Sequence, residues 1–139
     1  PHVARLLESG TLPDGRRWLA QELAPGLPLS ELLKLQVLGP RSLADVVGKV
    51  ALALAAAHAR GVVHRDVKPA NVVVDGRLSP KLVDFGMAAV QGGLALTGPG
   101  VAVGTPSYMS PEVLEVGSAG AGPACDVWAL GVVLFEGLA

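Results

Sequence analysis

A short polar loop near the middle of the chain carries the residue types best suited to chemistry. Asp66, Lys68 and Asn71 lie between Val62-Val63 and Val72-Val73-Val74, two apolar runs that predict short strands. A carboxylate, an ammonium group and an amide so close together are costly to order unless they share a ligand. Phosphoryl transfer needs this set, because a carboxylate can accept a hydroxyl proton, a cation offsets phosphoryl charge and an amide oxygen can help to hold Mg²⁺.

A second motif, Asp84-Phe85-Gly86, follows this loop after one predicted hairpin. Asp75-Gly76 is typical of the hairpin turn, and Lys81-Leu82-Val83 predicts the return strand. The hairpin would bring Asp84 back beside Asn71, where a carboxylate and an amide oxygen suit Mg²⁺ held jointly with substrate phosphates. The glycine at the end of the motif permits backbone angles closed to other residues, which a mobile segment behind a metal ligand could use.

The elements that must position these residues are predicted from hydrophobic periodicity and turn residues. The clearest is a helix from Ser42, its expected N-cap, to Arg60, with a stop at Gly61. In the first part of the chain, two strands are predicted at Ala4–Glu8 and Arg17–Glu22, joined by a turn-rich loop and followed by a linker at 24–28 and a short helix capped by Ser30. In the second part, we expect a long surface segment at 87–104 and an apolar helix at Asp126–Leu138 that is buried on most sides.

The composition of the 139 residues, about half of them apolar and with a formal net charge of -1, fits a globular domain. The near-neutral charge gives no electrostatic reason to expect binding to nucleic acid or to a membrane surface, and no apolar run is long enough to span a bilayer. A single cysteine, Cys125, excludes an internal disulfide framework. The chain starts at Pro1 and stops within an apolar run at Ala139, so we expect a piece of a longer protein.

Four motifs occur in the order that is typical of protein kinases. They are His64 to Asn71, Asp84-Phe85-Gly86, the segment from Gly104 to Glu112, and Asp126-Val127-Trp128. The chain therefore resembles eukaryotic-type (Hanks-type) serine/threonine protein kinases, in a bacterial style, over nearly its whole length. Lys68 follows Asp66 by two residues, and Gly104-Thr105 lies downstream. This pattern resembles that of the serine/threonine branch of the family more than that of the tyrosine branch.

The resemblance implies an α+β, protein-kinase-like fold that is present as a fragment. Residues 1–27 would be the last strands of the β-rich N-lobe and the hinge, and residues 28–139 the first part of the mainly helical C-lobe. The implied reaction transfers the γ-phosphoryl group of ATP, with Mg²⁺ or Mn²⁺, to Ser or Thr hydroxyls of proteins. We expect a cytoplasmic enzyme with no nucleic-acid partner and no membrane segment in this piece. Its parent could dimerise for autophosphorylation or carry a membrane anchor elsewhere.

For catalysis, the resemblance implies that Asp66 orients the substrate hydroxyl and acts as base, and that Lys68 contacts the γ-phosphate. Thr105 would form hydrogen bonds near both residues. Asn71 and Asp84 would hold the metal ion.

For ATP binding, the resemblance implies a hinge in which the Glu22 carbonyl and the Ala24 amide meet adenine, with Val73 beneath it. The phosphates and the metal ion would contact the residues already named, Lys68, Asn71 and Asp84. Gln21 occupies the gatekeeper position at the back of this pocket, where the family more often has Met, Thr or Leu.

For regulation, the resemblance implies that Arg65 pairs with a phosphate on the activation segment, for which Thr97 is the candidate site. Phe85 and Gly86 belong to the same mobile motif behind the metal ligand. The resemblance also implies two structural roles, a stack of His64 with Leu6 and Phe85, and an Asp126 that accepts hydrogen bonds from the loop backbone.

Other residues have ordinary explanations. We expect Asp75 to form a turn, Lys81 to be a solvated charge, Trp128 to lie in the core and Cys125 to be a small, unreactive residue.

Two classes of function remain open, an active kinase and a pseudokinase or signalling scaffold that binds partner proteins. The intact loop residues favour the first, and the sequence upstream of Pro1 would discriminate them. A small-molecule kinase of the aminoglycoside type is a weaker alternative, because Lys68-Pro69 and the segment 104–112 indicate peptide docking. The chain lacks the Gly-x-Gly-x-x-Gly loop, the strand Lys and the helix Glu of the family. We therefore expect these 139 residues alone to be inactive and, with the last helix uncovered, prone to aggregation.

Overall fold

A computed structural model describes residues 1–85 and 106–139, with the side chains of 118 and 119 left out. The first element is an antiparallel hairpin of β1 (Leu6–Thr11) and β2 (Arg17–Gln21). Its turn needs Gly15, which has a φ of 85° and donates its N–H to the Leu12 carbonyl at 2.9 Å. The hairpin was predicted, although its first strand begins two residues later than expected.

A second sheet joins distant parts of the chain in the order β3 (Leu27–Pro28), β4 (Val72–Val74) and β5 (Pro80–Leu82), all antiparallel. β3 replaces part of the linker predicted at 24–28. Gly26 permits this pairing, because its φ is 122° and an added Cβ would collide with the Val74 carbonyl. The strand predicted at Val62-Val63 does not form, because the chain there leaves a helix and enters the polar loop directly.

Four α-helices are found in the described residues: α1 (Leu29–Lys34), α2 (Pro40–His58), α3 (Pro111–Val116) and α4 (Pro123–Leu138). Short 3₁₀ turns lie at Pro69–Asn71, Pro106–Tyr108 and Gly117–Gly120. Proline occupies the first turn of α2, α3 and α4, where its missing N–H would have no helical partner.

The predicted N-caps at Ser30 and Ser42 are wrong. α1 starts at Leu29 after Pro28, and α2 starts at Pro40 after Gly39, so a proline near the start outweighed the serine signal. The predicted stop of α2 at Gly61 is confirmed, since this residue has a φ of 74° and its N–H bonds to the His58 carbonyl at 2.9 Å.

The core lies where α2 packs against α4 and the second sheet. From α2, residues at helical spacing are buried, namely Leu43, Val46, Val50 and Leu54. The alternate residues Val72 and Val74 of β4 are buried, and one face of α4 contributes Ala129, Leu130 and Val133. The prediction that α4 is buried on most sides is wrong. Trp128 is 48% exposed and Phe135 is 73% exposed, because only one side of the helix faces α2. The expected α+β class is confirmed.

Candidate active site

The Asp66 carboxylate is held by the two other polar residues of its loop. Lys68 Nζ donates to Asp66 Oδ2 at 2.7 Å, and Asn71 Nδ2 donates to the same oxygen at 3.0 Å and to the Asp66 carbonyl at 2.8 Å. Asn71 itself is only 6% exposed and sits in the 3₁₀ turn before β4. Asp66 Oδ1 has no hydrogen-bond partner among residues 1–85 and 106–139, so it can accept a proton from a hydroxyl group.

The backbone of this loop is held by hydrogen bonds to Asp126, near the start of α4. Its Oδ2 accepts the His64 N–H and its Oδ1 accepts the Arg65 N–H, both at 2.8 Å, as the resemblance implied. Asp126 is only 1% exposed, so both N–H groups bond to a buried carboxylate in charge-assisted bonds. They hold Arg65 at a φ of 69°, a left-handed conformation that is costly for a side chain other than glycine.

His64 connects the loop to the segment that follows β5. Its Nε2 bonds to the Val83 carbonyl at 3.0 Å and therefore carries the proton, which leaves Nδ1 to accept the Asp66 N–H at 3.2 Å. Burial lowers the pKa of His64 below 6.5, which favours this neutral form. The His64 ring also meets Phe85 edge-on, with centroids 4.6 Å apart. The structural role predicted for His64 is confirmed.

The return of Asp84 to the vicinity of Asn71 is confirmed by the backbone. The neighbour of Asp84, Val83, donates its N–H to the Asn71 carbonyl at 2.9 Å. Because Asn71 Nδ2 faces two acceptors of Asp66, its Oδ1 must point elsewhere and can serve a ligand. The Asp84 carboxylate has a partner at Oδ1 but none at Oδ2 among the described residues. These two hard oxygens fit a Mg²⁺ ion that takes its other ligands from phosphates and water.

The predicted hinge residues Glu22 and Ala24 lie between β2 and β3, and Val73 lies in the middle of the central strand of the second sheet. Neither the Glu22 carbonyl nor the Ala24 N–H has a hydrogen-bond partner within the part of the chain that the structure describes. Val73 lies in β4 between two buried valines, so its side chain points to the opposite, more open face of the sheet. The position of these three residues therefore leaves them available to a ligand.

The other predicted residues differ in how far the structure describes them. Thr97, Thr105 and Gly86, and the surface segment at 87–104, fall in residues 86–105, outside the described part. The Arg65 side chain is exposed, and Phe85 packs on His64 as expected. Leu6 does not complete that stack in a buried position: it is 58% exposed and, with Phe85, lines a cavity of about 860 Å³ between the hairpin and α2.

Three contacts at the site were not predicted from the sequence. His58, in the last turn of α2, bonds to Asp126 Oδ2 at 2.7 Å. Lys81, expected to be a solvated charge, forms an ion pair with Glu22. Gln21 bonds to Asp84 Oδ1 at 2.9 Å. No periodicity connects these positions, since each pair is brought together by the tertiary fold.

Two ordinary roles expected for other residues are confirmed. Asp75 closes the turn between β4 and β5, because its Oδ1 accepts the N–H groups of Arg77 and Ser79, both at 2.9 Å. These bonds lower the pKa of the Asp75 carboxyl. Burial, reinforced by Asp126, raises the pKa of Cys125 to about 11, which disfavours a reactive thiolate.

Comparisons with known proteins agree with this geometry. The family model described as the protein kinase domain matches residues 1–139. The serine/threonine-protein kinase PknK of Mycobacterium tuberculosis is 39% identical over 138 residues, which cover 97% of this chain and 12% of PknK. PknL of the same organism is 40% identical over 125 residues, covering 88% of this chain and 31% of PknL. CBL-interacting protein kinase 4 of Oryza sativa is 43% identical over 145 residues, covering 100% of this chain and 31% of that protein.

The chain therefore belongs to the protein kinase family, and its relatives place it among the eukaryotic-type serine/threonine kinases. It spans 12% of PknK and 31% of PknL, far less than the length of either protein. Within the described residues, no helix is both long and apolar enough to cross a membrane.

Proposed function

We propose that the protein containing this chain is an ATP-dependent serine/threonine kinase that phosphorylates proteins. The observation that carries the proposal is the arrangement around Asp66. One carboxylate oxygen is held by Lys68 and Asn71, at 2.7 and 3.0 Å, and the other has no partner among the described residues. A carboxylate fixed in this way can accept the proton of a hydroxyl group while the hydroxyl oxygen attacks.

In the proposed reaction, the substrate hydroxyl donates its hydrogen bond to Asp66 Oδ1. As its oxygen bonds to the γ-phosphorus, the bond from phosphorus to the bridging oxygen of ADP breaks and the proton passes to Asp66. Lys68, whose ammonium lies beside the carboxylate, can offset charge on the transferring group. Asn71 and Asp84 would hold Mg²⁺, or Mn²⁺, which when bound neutralises charge on the phosphate oxygens.

We further propose the lobe division at residue 27, with the Glu22 carbonyl and the Ala24 N–H receiving adenine beside Val73. The β1–β2 hairpin forms a different sheet from β3, β4 and β5, which supports a boundary between the end of β2 and the region of β3. Since these 139 residues contain no Gly-x-Gly-x-x-Gly loop, covering of the phosphates would depend on residues outside them. The chain alone would therefore bind ATP weakly and transfer phosphate at a rate near background.

The regulatory part of the proposal concerns Arg65. Its backbone is fixed by Asp126 while its guanidinium is exposed, so it could pair with a phosphate on Thr97 and order the segment that carries it. Autophosphorylation in a dimer of the parent protein, in the cytoplasm, would supply that phosphate. Thr105 would act near Asp66 and Lys68, at the end of the same segment.

The experiment uses the purified full-length protein with a general protein substrate and ATP labelled at the γ-phosphate. We expect Mg²⁺-dependent labelling of phosphoserine and phosphothreonine, retained with Mn²⁺, and little labelling by the 139-residue chain. Nucleotide binding without any transfer would contradict the proposal and favour a pseudokinase. Labelling of an aminoglycoside and not of protein would favour a small-molecule kinase.

A further inference from the structure

The side chain of Gln21, the last residue of β2, makes two hydrogen bonds to Asp84. Gln21 Nε2 donates to Asp84 Oδ1 at 2.9 Å, and the Asp84 N–H donates to Gln21 Oε1 at 3.3 Å. Among the described residues these are the only hydrogen bonds made by the Asp84 N–H and its carboxylate. One amide group therefore contacts both the backbone and the side chain of the residue expected to bind the metal ion.

The position of Gln21 does not depend on these two bonds alone. The next residue, Glu22, forms an ion pair with Lys81 in β5 and donates its N–H to the Arg5 carbonyl at 2.9 Å. Just before β1, Ala4 donates its N–H to the Leu82 carbonyl at 2.9 Å. Residues next to both ends of the hairpin thus attach it to β5, and the end of β2 is held beside the residues that follow β5.

The backbone of Asp84 adopts a conformation that supporting contacts stabilise. Its φ is 62°, a left-handed value that is unfavourable for Asp without supporting contacts. A carboxylate bonded at Oδ1 cannot rotate freely, so Oδ2 keeps a fixed direction. Hydrogen-bonded partners of metal-ligating carboxylates orient them in this way.

We propose that Gln21 is a positioning residue for metal binding, which restrains the Asp84 carboxylate through Oδ1 and leaves Oδ2 available to the ion. The inference rests on the proposed function, since it assumes that Asp84 binds the metal of a metal–nucleotide complex. It assigns to the gatekeeper position a role in metal affinity, in addition to forming the back of the nucleotide pocket. Neither a hydrophobic residue nor a shorter amide at position 21 would reproduce both bonds.

The test compares Mn²⁺ binding by the full-length wild type, Gln21→Met and Gln21→Asn in the presence of ADP, measured by the loss of the free-ion electron paramagnetic resonance signal. Gln21→Met preserves the length of the side chain and removes both hydrogen bonds, whereas Gln21→Asn preserves the amide and shortens its reach. We expect both variants to weaken Mn²⁺ binding about tenfold. Gln36→Met is the matched control, since Gln36 is exposed after α1, and it should bind Mn²⁺ as the wild type does.

Two further readouts separate positioning from a general effect on folding. In metal-free protein, hydrogen exchange at the Asp84 N–H should be faster in Gln21→Met, while the N–H groups of His64 and Arg65 keep their protection. In kinase assays, the KM for Mg²⁺ should rise by a larger factor than kcat falls. Unchanged Mn²⁺ affinity in Gln21→Met would overturn the inference while leaving the proposed function intact. Failure of the wild type itself to bind Mn²⁺ with ADP would contradict both.

Discussion

The two carboxylates expected to act in the reaction, Asp66 and Asp84, are held in place by different kinds of contact. The loop around Asp66 is fixed by buried groups, because Asp126, His64 and Asn71 all bond to it from inside the fold. Asp84 is held by the amide of Gln21, an exposed side chain at the end of the hairpin.

The difference indicates how each residue responds to its surroundings. A buried hydrogen bond is costly to break, because the groups it leaves behind have no water to replace the lost partner. A more exposed amide bond competes with water and therefore contributes less than a buried one. The position of Asp66 therefore depends on several buried contacts, whereas the direction of the Asp84 carboxylate depends on the single side chain of Gln21.

The largest expected effect follows from removing the anchor of the Asp66 loop. Asp126→Ala would leave the buried N–H of His64 and the partly buried N–H of Arg65 without an acceptor, and would also remove the partner of His58. We expect the free energy of unfolding to fall by about 3 kcal/mol, measured by denaturant titration of the full-length protein. Asp14→Ala, which removes an exposed ion pair with Arg16, is the control and should change stability little. Equal effects of the two substitutions would show that the loop is not anchored by Asp126.

A smaller effect is expected from acidification, through His64. Burial holds the pKa of this residue below 6.5 in the folded protein. Between that lowered pKa and about pH 6.5, the unfolded chain is therefore protonated at His64 and the folded chain is not. The contribution of neutral His64 to the free energy of unfolding is fully present above about pH 6.5. It is lost as the pH falls from there towards the pKa of His64 in the folded protein. In His64→Gln, the amide can still donate to the Val83 carbonyl but does not titrate. The wild type should therefore lose more stability than this variant between neutral and mildly acidic pH, and parallel pH profiles would contradict the account.

The smallest effect is expected where the hairpin is attached to β5. Lys81→Met removes the ion pair with Glu22, whose two side chains are 32% and 23% exposed. A partly exposed pair of this kind should contribute about 0.5 kcal/mol, measured by the same denaturant titration. Lys34→Met removes a more exposed pair with Glu31 and should change less. A loss as large as that of Asp126→Ala would mean that the two regions are held equally firmly.

Local patterns in the sequence were enough to predict the parts of the site that are contiguous in the chain. The loop from His64 to Asn71, the β4–β5 hairpin and the stop of α2 at Gly61 all depend on neighbouring residues, and the structure contains each of them. The α+β class followed from the motif order. In these regions local propensity and the tertiary fold agree.

The remaining contacts depend on residues that are far apart in the chain. Gln21 and Asp84 are separated by 63 positions, and His58 and Asp126 by 68, so no spacing rule could connect them. The exposure of Trp128 agrees with the expectation that the last helix is uncovered, but the sequence of α4 did not show which side is exposed, because an apolar helix with little polar surface does not mark it. The predicted N-caps at Ser30 and Ser42 were wrong for a local reason, because Pro28 and Pro40 lie at the actual helix starts.

The most direct test of the proposed mechanism is the single-turnover rate of γ-phosphoryl transfer by the full-length wild type and Asp66→Asn at saturating Mg²⁺ and ATP. Asparagine preserves the shape of the side chain but cannot accept the hydroxyl proton. The account predicts a rate lower by about 10³-fold, with ATP affinity nearly unchanged. Asp45→Asn, an exposed position on α2, is the control and should transfer phosphate at the wild-type rate. A wild-type rate in purified Asp66→Asn would contradict the role assigned to Asp66.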